Sequence, residues 1–291
     1  FTLYMIAAGK SALSMVCSIT GGILNIVLDY VFISVLEMGI AGAAIATGLG
    51  YSVTAVAGLV IFSKKDCLLH FVKPVCRIRT LISAASNGSS EMAAALVTGI
   101  VTMMFNWTML KYVGENGVAA ITIIMYVLMF ATSLYTGYSY GVAPMISFYY
   151  GEQNQDKLKK LIRLSMKIIG FIGAAALIVS LAVTEPLVAI FARPDNPVYG
   201  LAVTGNRICS SALVFIGFNV FASGMFTALS NGLVSAVLAF SRSFVFMVAA
   251  MLILPAILGV TGAWLATPAA EAAAFLLSAV MFIKYRKKYQ Y

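Results

Sequence analysis

Long apolar stretches dominate this chain and limit what it can fold into. A membrane-spanning helix needs about 20 mostly apolar residues. Eight stretches meet that length, and residues 1–8 look like the end of another. They are 13–35, 39–62, 82–110, 117–146, 161–183, 199–228, 234–257 and 260–283. Only 10% of the residues are charged and 62% are apolar, so the sequence predicts an all-α, polytopic membrane protein.

The basic residues predict the orientation of these spans. Threading the spans alternately places all but three of the 19 Lys and Arg residues on one side, which the positive-inside rule makes cytoplasmic. The exceptions are Lys111, Arg193 and Arg207. Arg242 is counted with the cytoplasmic group. We therefore expect a cytoplasmic C-terminus, and the same placement explains the net charge of +9 without nucleic acid.

Several functional classes lack the residues that they need. The single histidine, His70, lies in a polar loop, and the four cysteines have no metal-ligand spacing. A membrane enzyme would need a nucleophile and base or a metal, and neither is evident. We expect free thiols, no enzymatic activity and no cofactor. Lipid and small organic molecules are the expected partners, and the chain is expected to be a monomer.

An internal repeat predicts two related lobes. Residues 39–62 match residues 259–282 without gaps at an offset of 220. The copies are six spans apart and so cross the membrane in the same direction, as in parallel transporter repeats. We predict an N-lobe remnant at 1–62, a cytoplasmic linker at 63–80 and a six-helix C-lobe at 81–291. Two complete six-helix lobes would require about 140 further residues before Phe1.

Asp29 is the leading candidate for chemistry, because an acid inside a membrane span is costly and functional by default. Asn25 precedes it by four residues, so both lie on one helix face. Thr47 lies at a similar depth on the next helix, and the repeat also points to it, because Gly48 aligns with Pro268. The three residues suit a proton or cation site, whereas a structural hydrogen-bond network is the alternative.

Other polar residues in the spans are secondary candidates. Glu271, four residues after Thr267, is either a second titratable or substrate-contacting group or a buried hydrogen-bonded carboxyl. Glu91 can be such a site or an acid that complements the dipole of a first helical turn. Arg207 is expected to reach the outer interface. Between 125 and 140 lies a helix rich in Met and Tyr. Its Tyr126, Met129 and Tyr138 are candidate substrate contacts, with core or lipid packing as the alternative.

Together these residues resemble a known transporter family. Asn25-x3-Asp29, the run from Gly39 to Thr47, Gly141-Val-Ala-Pro144 and Trp264-x-Ala-Thr-Pro-x-x-Glu271 are similar to multidrug-and-toxin-extrusion (MATE) transporters. Asn87-Gly-Ser-Ser-Glu91 is similar to one bacterial branch. The resemblance covers the chain from the end of the fourth helix to the twelfth.

The family resemblance implies how the candidate residues are used. Some prokaryotic members hold Na⁺ or H⁺ between an Asp on helix 1, an Asn and Asp four apart on helix 5, and a Thr on helix 6. Asn25, Asp29 and Thr47 match the last three. Other members use a Glu deep in helix 7 and an Asp on helix 10. Here Glu91 lies early in its helix and 199–228 contains no Asp or Glu, so the C-lobe site is expected to be absent.

The implied function is a bacterial plasma-membrane antiporter that exports amphipathic, often cationic compounds in exchange for H⁺ or Na⁺. Two alternatives remain at this point, a lipid-linked glycan flippase of the same superfamily and a scaffold without transport activity. A flippase would be expected to carry more basic residues inside its lobes.

Overall fold

The chain folds almost entirely into helices, which confirms the all-α prediction. The computed structural model describes residues 1–64, 69–72 and 77–289, except for the side chains at 3, 7, 79, 80, 82–95 and 287. Within these residues the α-helices are α1 (Thr2–Ala7), α2 (Ser11–Asp29), α3 (Gly39–Phe62), α4 (Ile78–Val113), α5 (Glu115–Gly151), α6 (Gln155–Phe191), α7 (Pro197–Cys209), α8 (Leu213–Ala228), α9 (Gly232–Phe240), α10 (Met247–Leu258) and α11 (Val260–Tyr289).

Three short turns extend or join some of these helices. A π-helical turn, Tyr30–Val35, extends α2, and another, Ser241–Phe246, joins α9 to α10. A 3₁₀ turn, Ser210–Ala212, joins α7 to α8.

Seven of the predicted spans are helices long and apolar enough to cross a membrane, counting only the described residues. They are Ser11–Val35, Gly39–Phe62, Glu115–Gly151, Gln155–Phe191, Pro197–Ala228, Gly232–Leu258 and Val260–Arg286. The predicted span 82–110 lies within α4, but many of its side chains are outside the described set, so its status as a span stays a prediction. The protein is multi-pass.

Helix α6 is longer than the sequence pattern indicated. The predicted span was 161–183, whereas the helix runs from Gln155 to Phe191. It begins early because the Asn154 side chain accepts a hydrogen bond from the Lys157 backbone N–H at 3.2 Å. The first turns of α6 are basic and not apolar, so hydropathy identifies only the apolar middle of the helix.

The described chain divides into two compact units, 1–81 and 82–291. In the first, α2 and α3 pack closely at two glycines. A Cβ built on Gly21 would lie 2.6 Å from the carbonyl oxygen of Gly50, and one on Gly50 would lie 3.0 Å from the Cβ of Asn25. Only glycine allows this approach of two backbones. The predicted linker 63–80 includes residues outside the described set, and the predicted domain boundaries stay a prediction.

The second unit has its own cores. One surrounds Trp264 of α11, which is packed with Ile124 of α5 and Val203 of α7. Another surrounds Phe221 and Phe226 of α8. Helix α8 contacts α5, α6, α9 and α11, which places its side chains centrally in this unit.

The two copies of the repeat begin with the same backbone turn. Gly39 and Gly259, at equivalent positions, have φ of +56° and +59°, a region that favours glycine. Three residues later, Gly42 and Gly262 each pack against the segment before their own helix. The sequence repeat therefore has a structural counterpart at the start of α3 and α11.

Candidate functional site

A cavity of about 460 Å³ lies in the first unit beside the packed glycines of α2 and α3. Asn25 from α2 and Thr47 from α3 both line it. The Thr47 hydroxyl donates to the Ala43 carbonyl at 2.9 Å, which leaves its lone pairs free to accept or coordinate. The other lining residues are Phe1, Thr2, Ser18, Gly21, Gly22, Gly50, Tyr51, Thr54 and Ala55.

Asp29 lies at the last position of α2, one turn beyond Asn25 and directly before the π-helical turn. It is not among the residues that line the cavity. The side chain is half-buried, and its Oδ1 atom is buried without a hydrogen-bond partner among the described residues. The Nδ2 atom of Asn25 is likewise buried without a hydrogen-bond partner among the described residues.

These two unpartnered atoms lie one helical turn apart on α2, and buried polar atoms in folded proteins nearly always have a partner. Because the carboxylate oxygen has no such partner among the described residues, it can accept a proton or a cation without losing a protein contact. The structure thus brings Asn25 and Thr47 to one cavity and places Asp29 on the helix face of Asn25. Within the described residues, no cluster of three His, Cys, Asp or Glu side chains forms a metal site.

Glu271 and Thr267 are buried on α11 of the second unit. Glu271 Oε2 accepts a hydrogen bond of 2.8 Å from Asn219 Nδ2, and its Oε1 lies 3.7 Å from Arg242 NH1. Glu271 is therefore a buried, hydrogen-bonded carboxyl. Glu91 lies on α4, but its side chain is outside the described set.

The sequence assigns Arg242 to the cytoplasmic side, and that sidedness stays a prediction. The structure adds that Arg242 lies in the π-helical turn inside the span Gly232–Leu258 and that its side chain is only 21% exposed. Counting spans assigns a charge to the nearer loop, whereas Arg242 has an acidic partner within the bundle. A basic residue well inside an apolar span was the available signal.

A second buried polar cluster had not been singled out. Asn206 of α7 is 1% exposed and donates to Thr184 Oγ1 of α6 at 3.0 Å. Ser180 and Ser210 join it, with 2.7 Å between their hydroxyl oxygens. Small polar residues are common in membrane helices, so the sequence alone did not distinguish these. Next along α7, Arg207 forms an exposed ion pair of 2.8 Å with Glu185.

The candidate substrate-contacting residues of α5 do not share one face. Tyr126 and Met129 are exposed, and the Tyr126 ring stacks on Phe191 with 6.5 Å between centroids. Tyr138 instead donates a hydrogen bond of 3.1 Å to Ser165 of α6. The three therefore do not form one surface in this structure.

Comparisons with known proteins agree with the helical architecture. The chain is similar to the multidrug export protein MepA of Staphylococcus haemolyticus, at 26% identity over 96% of the chain and 61% of that relative. It is also similar to MepA of Staphylococcus aureus strain bovine RF122, at 23% identity over 96% of the chain. The chain thus spans about three fifths of the length of these curated relatives.

Solved structures show the same fold. An inward-facing multidrug resistance MATE family transporter superposes with a TM-score of 0.84 at 24% identity, covering 98% of this chain and 67% of that one. An outward-facing structure gives 0.82 at 23% identity, covering 97% and 64%. The sequence profile of the MatE family matches residues 90–253. The chain therefore belongs to the MatE family, as its motifs predict.

Proposed function

We propose that this chain is part of a cation-coupled antiporter that exports amphipathic, often cationic organic compounds. The relatives named as multidrug export proteins support export of such compounds. The observation that carries the coupling proposal is the buried, unpartnered carboxylate oxygen of Asp29 on the helix face of Asn25. Coupling to H⁺ or Na⁺ follows from the acceptor chemistry of a carboxylate, and no cofactor is needed.

Asp29 would take up the ion. Asn25 and Thr47 line a cavity that Asp29 does not line in this structure, so their oxygen atoms would become further ligands only in a state in which Asp29 reaches that cavity. Because Asp29 ends α2 and a π-helical turn follows, its charge lies where the helix geometry already changes. Ion binding shifts a conformational equilibrium only through different affinities for the two states. Neutralising the carboxylate favours the packing in which it is most buried, and this links ion uptake to alternating access.

The exported compound would meet apolar and aromatic side chains. Tyr126 and Met129 are exposed on α5 and offer a ring face and an adaptable thioether to an organic cation. Tyr138 would contribute only after leaving Ser165. A glycan flippase is not favoured, because the basic residue found inside the second unit, Arg242, is paired with Glu271.

Ion-driven efflux from proteoliposomes that contain the complete transporter tests the coupling site. Asp29→Asn keeps the shape of the side chain but removes its charge, and we expect ion-driven export of a lipophilic cationic dye to fall roughly tenfold or more. Asp195→Asn, in the exposed loop before α7, is the matched control and should transport normally. Undiminished, ion-driven efflux by Asp29→Asn would refute the assignment.

A further inference from the structure

The carboxylate of Glu271 is held in one orientation by neighbouring side chains. Asn219 Nδ2 lies 2.8 Å from Glu271 Oε2 and 2.9 Å from the Glu271 carbonyl oxygen, so one amide group fixes both. Ser278 donates to Asn219 Oδ1 at 3.1 Å, and this bond orients the amide with its NH₂ group toward Glu271. Oε2 is thereby occupied, and Oε1 faces Arg242.

Arg242 forms an ion pair with Glu271 Oε1 but no hydrogen bond to it. Arg242 NH1 lies 3.7 Å from Oε1 and is buried with no hydrogen-bond partner among the described residues. The exposed pair of Arg207 and Glu185 closes to 2.8 Å, so this protein does form tight ion pairs elsewhere. The buried pair balances charge while leaving the coordination of Oε1 unfinished.

In the sequence repeat, the position equivalent to Glu271 lines the cavity of the first unit. At the offset of 220, Glu271 corresponds to Tyr51 and Thr267 to Thr47. Both Tyr51 and Thr47 line the cavity of the first unit. Helix α11 thus carries a carboxylate in the register in which α3 faces the candidate ion site.

We propose that Glu271 is a cation site whose occupant is the guanidinium of Arg242. Among the described residues, the helices and turns that pack closely on α11 are α7, α8, α9, α10 and the two turns beside α8 and α10. Their only Lys, Arg, Asp or Glu residues are Arg207, which is paired with Glu185, and Arg242. The pair is therefore neutral as a unit, and no ion from solution is required. Ion uptake by Glu271 is then not needed for transport, so this inference goes beyond the role proposed for Asp29.

A polar stripe on α8 runs from the exposed Thr227 to Asn219, which contacts Glu271. Asn219, Ser223 and Thr227 are spaced by four residues and so share a helix face. The hydroxyls of Ser223 and Thr227 both contact Ser235 Oγ, at 2.9 and 2.7 Å, and Thr227 is exposed. The stripe links the exposed end of α8 to the buried carboxylate.

The test measures thermal unfolding of the purified complete transporter in detergent. All variants carry Asp29→Asn, so the first unit's candidate site does not respond. Sodium chloride is compared with choline chloride at equal ionic strength, and neutral with acidified buffer. With Arg242→Gln, Glu271 needs a cation from solution. We therefore expect Na⁺ or acid to raise the Tm of this variant by about 3 °C or more beyond any change in the parent, which carries Asp29→Asn alone. The Arg242→Gln, Glu271→Gln double variant should lose this response.

Arg242→Lys, which retains a tethered cation, should behave like the parent. A folded Arg242→Gln variant with no more response to Na⁺ or acid than the double variant would overturn the proposal. Where Arg242→Gln cannot be purified, recovery of the double variant supports charge compensation. A double variant as unstable as the single one overturns it, because Arg242 would then act through packing. None of these outcomes depends on whether Asp29 couples transport.

Discussion

At the scale of single residues, Pro268 creates a requirement that Cys209 meets. Proline has no N–H, so the carbonyl of Trp264, four residues earlier in α11, loses its helical partner. The Cys209 thiol of α7 donates to this carbonyl at 3.2 Å, and both residues are almost fully buried. In a membrane interior such a carbonyl needs a partner from a neighbouring helix.

Substituting Cys209 tests this contact. We expect Cys209→Ala to destabilise the protein by up to about 1 kcal/mol, the range of one buried hydrogen bond, and Cys209→Ser to retain most of the stability. In a Pro268→Ala background, residue 268 supplies an N–H to Trp264, so the cost of Cys209→Ala should shrink. Thermal unfolding of the four combinations measures the coupling. Equal losses in both backgrounds would show that the thiol acts through packing alone.

At the scale of helices, the close packing of α2 and α3 positions Asn25 beside the cavity. A methyl group at residue 50 would lie 2.9 Å from the Gly21 carbonyl oxygen and 3.0 Å from the Cβ of Asn25. Gly48, on the same helix, has nothing within 4 Å of its Cβ position among the described residues. Alanine substitutions at Gly50 and at Gly48 therefore form a matched comparison.

We expect Gly50→Ala to push the two helices apart at a cost of about 1–3 kcal/mol and to weaken ion-driven efflux by moving Asn25. Gly48→Ala should change neither property appreciably. Thermal unfolding and efflux of the complete transporter measure both effects. Equal behaviour of the two variants would contradict the proposed role of the close approach.

Helices were predictable here because a lipid solvent demands long apolar segments whose backbone groups are all internally bonded. Asn25 and Asp29 were singled out because an acid stands out in such a segment, and their role stays a prediction. The pairing of Arg242 with Glu271 was not predicted, and Asn219 was missed because its partner Glu271 lies 52 residues away in the chain. Side-chain pairing between distant helices depends on how the bundle packs, and hydropathy carries no information about it.

At the scale of the whole molecule, the distribution of charge predicts the orientation in the membrane. Lys157, Lys159, Lys160 and Arg163 cluster at the start of α6, whereas Arg193 is the only basic residue of the turn that follows this helix. By the positive-inside rule, we expect the α5–α6 turn to be cytoplasmic and the α6–α7 turn external. Successive turns then alternate along the second unit.

Single cysteines in a background without the native ones test this orientation in intact cells. The exposed positions Gln153 and Ser230 should react with a membrane-impermeant maleimide only after permeabilisation, and Glu115 and Asp195 without it. The inverse labelling pattern would show that the protein has the opposite orientation in the membrane. Identical labelling of Gln153 and Asp195 would contradict a membrane crossing by α6. Because the turns alternate only when every intervening helix crosses, these four positions jointly test whether α5, α6 and the α7–α8 segment each cross the bilayer.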